Sequence, residues 1–269
     1  MSRIKRRRRS SSSGINWLAV AIIIFVLTAL AGMFKLAFDN EPKILDEVTL
    51  CIKGETHPAT LGIIIDSTDS FPAAPAAKAF NIITTAVDQL PVNSRVQLFQ
   101  IKGSSDLLKP LVDICKPDDG STASQLNSNP AYIKKLYRER FSTPLEQTLK
   151  RLIKAEPQSS SPIIESMQAA SIQALMPFAS TSNKRLIVAS DFLQHSDLYS
   201  MYESKPNLQD FTDQSITSSL GRINFSGAKV DLLVIPRRIP NGSRGDLVSF
   251  WGDFLIQHNA ALGSSLEPL

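Results

Sequence analysis

Residues 66–70 read Asp-Ser-Thr-Asp-Ser, five consecutive side chains that each end in oxygen. Two distant positions share their chemistry: Ser161, in Ser161-Pro162-Ile163, and Asp191, in Val188-Ala189-Ser190-Asp191. Carboxylate and hydroxyl oxygens are hard ligands that suit Mg²⁺, Mn²⁺ or Ca²⁺. Mg²⁺ keeps several of its waters and takes few protein ligands, so Asp66, Thr68, Ser70, Ser161 and Asp191 make a sufficient set. The same residues also have a plainer use. Asp66 and Ser70 can cap a helix, and Asp191 can cap a turn. The residues themselves leave both readings open.

The elements that must position them alternate between strand and helix. Leu61-Gly62-Ile63-Ile64-Ile65 is a continuous apolar run, typical of a strand buried on both faces of a parallel sheet, and it stops at Asp66. Pro72 and Pro75 then precede a helical pattern through Ala76, Phe80, Ile83, Ala86, Val87 and Leu90. Residues 94–101 predict a second strand and 110–115 a short one beside it. Residues 116–130, rich in Asp, Ser, Asn and Pro, predict a loop. Tyr132, Leu136, Phe141, Leu145, Leu149 and Leu152 keep helical spacing to about Ala155, with a break at Pro144. Ser161 as a cap, with Pro162 at the first helical position, starts a helix over 163–175. Residues 185–189 and 230–235 predict further buried strands, and 246–261 a closing amphipathic helix. This alternation means an α/β domain around a mostly parallel sheet. Open sheets of this kind bind ligands beyond the carboxyl ends of their strands, where Asp66 and Asp191 fall.

On these residues the chain resembles the von Willebrand factor type A (vWA) domains. Asp66-Ser67-Thr68-Asp69-Ser70, placed after an apolar first strand, is similar to the DxSxS motif of that family's metal-ion-dependent adhesion site. Ser161-Pro162-Ile163 looks like its T-P-L element, and Asp191 like the acid that follows its fourth strand. The resemblance covers residues 60–261. Thr68 stands where Ser is usual and Ser161 where Thr is, and both keep a hydroxyl. Asp69 adds an acid, and Phe192 follows Asp191 where the family commonly has Gly. Thr143-Pro144-Leu145 is a rival T-P-L element, but it leaves 48 residues before Asp191, against 30 from Ser161. The resemblance implies a doubly wound, Rossmann-like sheet with Mg²⁺, Mn²⁺ or Ca²⁺ at its upper rim. Asp66, Thr68, Ser70, Ser161 and Asp191 would hold the ion, and an acidic side chain of a partner protein would complete its shell. That is a binding function, not catalysis.

The N-terminus carries a different signal. Residues 17–34 form an 18-residue run without a charge, extended to residue 38 with only Lys35 interrupting. About 20 apolar residues cross a hydrocarbon core about 30 Å thick. Arg3, Lys5 and the four arginines Arg6 to Arg9 lie just before the run, which keeps that end in the cytoplasm. The organisation expected is a basic tail at 1–14, a transmembrane helix at 15–38, a spacer with a possible edge strand at 39–59, and the vWA-like domain at 60–269. The domain is then extracytoplasmic, and periplasmic in a Gram-negative host. A cleaved signal peptide ending at Ala29-Leu30-Ala31 is the competing reading.

Net charge is +4, but the first 14 residues hold six basic groups and no acid, leaving the rest at −2. The charge is therefore no evidence for a nucleic-acid partner. With two cysteines and three isolated histidines, the composition argues against a disulfide-rich scaffold and against a zinc cluster. Export would permit a bridge between Cys51 and Cys115, but nothing in the sequence brings them together. No GxSxG elbow, GxxxxGK[ST] phosphate loop or GxGxxG turn is present. A metal-assisted phosphohydrolase of the DxDx[TV] type would need an acid where Thr68 stands. The chain is accordingly read as a non-enzyme, with a metal-free envelope scaffold as the alternative.

Overall fold

The computed structural model describes residues 17–38, 44–103, 109–121, 129–154, 157–178, 183–216, 223–263 and 269. They belong to two units, one within Met1–Ile44 and one spanning Leu45–Leu269. The first holds helix α1, Trp17–Phe38. Its Trp17–Lys35 stretch has a mean hydropathy of 2.6, and the helix is long and apolar enough to cross a membrane. Helical geometry satisfies every mid-span backbone group internally, as lipid requires. The Thr28 hydroxyl is satisfied too, donating to the carbonyls of Ile24 at 3.0 Å and Phe25 at 2.9 Å.

The second unit is built on a six-stranded, mostly parallel sheet in the order β3-β2-β1-β4-β5-β6. The strands are β1 (Ala59–Asp66), β2 (Arg95–Ile101), β3 (Val112–Cys115), β4 (Asn183–Ser190), β5 (Lys229–Val234) and β6 (Ala261–Leu262). Only β3 runs antiparallel to its neighbour. β1 is central and all eight of its residues are buried, which is why it reads as an unbroken apolar run. Ile65 pairs with Ala189, so Asp66 and Ser190 finish their strands side by side.

Alternate side chains of β1 enter two separate cores. Leu61, Ile63 and Ile65 pack with helices α2 (Ala73–Asp88) and α4 (Thr143–Leu152). Ile64 packs with α5 (Ile163–Ala170), α6 (Leu208–Ile216) and α7 (Arg244–Gln257). Gly62 interrupts the apolar run because a Cβ there would lie 2.8 Å from Leu186 Cδ1 and 3.3 Å from the Ala174 methyl. The break expected at Pro144 takes another form. Helix α3 (Pro130–Tyr137) widens into a π-turn, Arg138–Ser142, and resumes as α4. The wide turn absorbs a proline that lacks an N–H and crowds the preceding carbonyls.

Among its described residues, 44–58, the segment ahead of β1 carries no strand of the sheet. Leu45 and Ile52 form a single antiparallel bridge, and the Cys115 N–H donates to the Thr49 carbonyl at 2.7 Å. A disulfide joins Cys51 to Cys115 across 64 residues, with a Cα–Cα distance of 4.8 Å. It ties the approach to β1 onto edge strand β3.

Candidate functional site

The strand order reverses beside β1. The chain runs outward from β1 to β2 and β3, then returns to β4 on the other flank and continues to β5 and β6. Loops leaving the carboxyl ends of β1 and β4 therefore diverge, and such a switch point is where open α/β sheets bind ligands. Asp66 ends β1 there and Asp191 follows β4.

Asp66 is buried, and both its carboxylate oxygens are filled by donors. Oδ1 accepts from the Thr68 N–H at 3.0 Å and the Thr68 hydroxyl at 2.6 Å. Oδ2 accepts from the Ser161 hydroxyl at 3.1 Å and the Ser190 hydroxyl at 2.6 Å. Ser161 is held in place by reciprocal backbone bonds with His195, at 2.7 and 3.0 Å. Three hydroxyls from three segments thus meet on one carboxylate. Each donates its hydrogen bond to Asp66; the Thr68 and Ser161 oxygens keep lone pairs for another partner, while the Ser190 oxygen also accepts from the Phe192 N–H.

Asp191 is 9% exposed. Its Oδ1 accepts from the Leu193 N–H at 2.9 Å, and its Oδ2 lies 3.0 Å from Arg237 Nε. The same guanidinium reaches Asp69, with Nη1 2.7 Å from Oδ2. Burial and the charge of Asp66 push the Asp191 carboxyl up to about 7, outweighing the Leu193 N–H and the Arg237 charge that pull it down. Tyr202 belongs to the same surroundings: burial, then Asp191 and Asp69, raise its phenol.

Asp66, Thr68, Ser161 and Asp191 are thus brought together. Ser70 is exposed and makes no hydrogen bond to the group. Thr143, the rival to Ser161, opens α4 in the other core. Capping fails as an explanation for Asp66 and Ser70, because the N-cap of α2 is Pro72 and no side chain caps the helix. Ser161 does not cap α5 either, since its hydroxyl goes to Asp66. The Ile164 N–H in the first turn of α5 is met instead by Gln194 Oε1 at 2.9 Å. Asp191 does cap the turn that follows it, through Leu193.

Sequence reading missed Ser190 and Arg237. Ser190 was visible as the neighbour of Asp191. Arg237 follows the end of β5, so the rule that drew attention to Asp66 and Asp191 applies to it as well. Phe192 was noted for replacing a glycine, and its φ of 61° lies in the left-handed region that glycine enters freely. Its N–H donates to the Ser190 hydroxyl and its carbonyl accepts from Trp251 Nε1, both at 2.9 Å. The two rings meet edge to face with centroids 5.4 Å apart. Packing against α7 therefore holds the loop that carries Asp191.

A second group of ligand-type atoms, on Cys51, His57 and Cys115, lies within 4.8 Å. Its sulfurs are bonded to each other, so in this state it is a disulfide with an imidazole against it. The oxygen donors around Asp66 and Asp191 do fit a hard cation: all are carboxylate or hydroxyl, and the two acids are incompletely compensated. Arg237 stands against such an ion, being a cation already engaged by two of the acids. Protein-family models do not match this chain, and no curated protein is a significant match.

Proposed function

We propose that this chain is a single-pass membrane protein whose doubly wound, vWA-like domain lies outside the cytoplasm and binds a divalent cation. Mg²⁺, or else Mn²⁺ or Ca²⁺, would be held by Asp66, Thr68, Ser70, Ser161 and Asp191 and presented to an acidic side chain of a partner protein. The observation that carries this reading is the meeting of Asp66, Thr68 and Ser161 beside Asp191 at the switch point of the sheet. Asp66 orients the Thr68 and Ser161 hydroxyls by accepting their hydrogen bonds, which leaves oxygen lone pairs for the ion. Asp191 supplies a second carboxylate whose ionic form an ion would favour. Ser70 is the weakest member of the set, being exposed and outside the hydrogen-bonded group. The Cys51–Cys115 bridge supports export, since disulfides persist in oxidising compartments. So does the basic segment ahead of α1.

A metal-free envelope scaffold is the second reading, and Arg237 favours it by supplying positive charge to Asp69 and Asp191. A thermal melt of the full chain in detergent micelles separates the two, first with EDTA and then with millimolar Mg²⁺, Mn²⁺ or Ca²⁺. An ion at 100 times its dissociation constant adds about 2.7 kcal/mol, and Asp66→Ala should abolish the shift. No shift with any ion assigns the domain to the scaffold class. Hydrolysis of a generic phosphate ester, lost in Asp66→Asn, would make it an enzyme instead.

A further inference from the structure

Arg237 stands two residues beyond Ile235, whose N–H donates to the Ser190 carbonyl at 2.8 Å. That bond fixes the start of the segment against the end of β4, beside Asp191. From there the guanidinium reaches two acids carried on different loops, Asp191 through Nε at 3.0 Å and Asp69 through Nη1 at 2.7 Å. Asp66 differs from both, since its four donors are neutral. One fixed positive charge thus pairs with two of the three carboxylates, and on Asp191 it takes the oxygen that the Leu193 N–H does not. Oδ1 of Asp191 is committed to the Leu193 N–H. An ion that draws on Asp191 competes with the guanidinium for the charge of that carboxylate, and the two positive groups repel each other at that distance.

We propose that Arg237 is a resident counter-cation that sets the affinity of the cation site, the ion entering as the guanidinium leaves Asp191 and Asp69. This rests on the metal-binding reading above. The exchange replaces a single positive charge at the acids with a double one. It leaves Arg237, a third exposed already, at the rim of the site. A guanidinium freed there offers the planar fork that matches a carboxylate. The acid that completes the ion's shell then meets a second positive group, and the ion and the arginine act on one partner side chain together.

The test is a Mg²⁺ titration followed by thermal melting of the full chain in detergent micelles, with wild type, Arg237→Ala, Arg237→Lys and Asp66→Ala compared. Mn²⁺ binding read by electron paramagnetic resonance gives a direct second readout. The expected result is a midpoint at least tenfold lower in Mg²⁺ for Arg237→Ala than for wild type, with Arg237→Lys between them. In EDTA, Arg237→Ala should melt below wild type, because Asp69 and Asp191 lose their partner. Equal midpoints in wild type and Arg237→Ala would overturn the proposal while leaving the cation site standing, and would make Arg237 a structural ion pair. No response to Mg²⁺ or Mn²⁺ in any variant would sink the site and this proposal together. Should Arg237→Ala fail to fold, Arg237→Lys decides by the same comparison, since a lysine that leaves the midpoint unchanged contradicts the exchange.

Discussion

Asp191 carries two opposed influences, and their balance is measurable. Burial and Asp66 raise its carboxyl from an ordinary 3.8 to about 7 despite Arg237. A carboxyl raised on folding stabilises the native state fully at pH values below its unfolded pKa. That contribution is lost as pH rises through the folded value. In EDTA, the melting temperature of wild type should therefore fall between pH 4 and pH 7 relative to Asp191→Asn, which lacks the titrating group. A difference that stays flat across this window would show that Arg237 keeps Asp191 ionised throughout. The neighbouring residue makes a second prediction. Phe192 holds a left-handed backbone, and its buried carbonyl depends on Trp251 Nε1. Trp251→Phe keeps a ring in the core but strands that carbonyl, at a cost of about 1–3 kcal/mol. Chemical denaturation should show that loss, and an unchanged midpoint would mean that Phe192 needs no such support.

At the scale of elements, strands were more legible than sites. β1 and β4 announce themselves because a strand covered on both faces has no polar face to interrupt it, and each apolar run stops where its oxygen-bearing residues begin. β6 escaped because two residues show no periodicity. Ser161 was misread in role though not in place. A serine before a proline is a local cap signal, but its hydroxyl is claimed by Asp66, 95 residues earlier in the chain. For Arg237 the place was legible, just past the end of β5, but not the pairing, since both its partners sit on other loops. The separation of 64 residues between Cys51 and Cys115 carries no information about their distance in space. Closing a loop of that length stabilises a fold by about 4 kcal/mol through the chain entropy of the unfolded state. Replacing both cysteines by serine should lower stability by an amount approaching that figure. A neutral double variant would show that the docking of Thr49 on Cys115 suffices alone.

For the whole molecule, the decisive question is which side of a membrane the body occupies. Protease added to spheroplasts of a Gram-negative host expressing the chain should digest the Leu45–Leu269 unit and spare a tag on the basic N-terminus. The reverse pattern would place the site in the reducing cytoplasm and remove the argument from the disulfide. With the body outside, the sulfur bridge acquires a mechanical meaning. Any tug between the anchor and a bound partner travels along the backbone to Cys51 and crosses directly to Cys115. Residues 52–114, which include β1, β2 and Thr68, lie inside a closed covalent ring, so a tug on the anchor enters the body at both ends of that ring at once. The bridge thus works as a strain relief: the pull is divided between the approach to β1 and edge strand β3 instead of falling on the central strand alone.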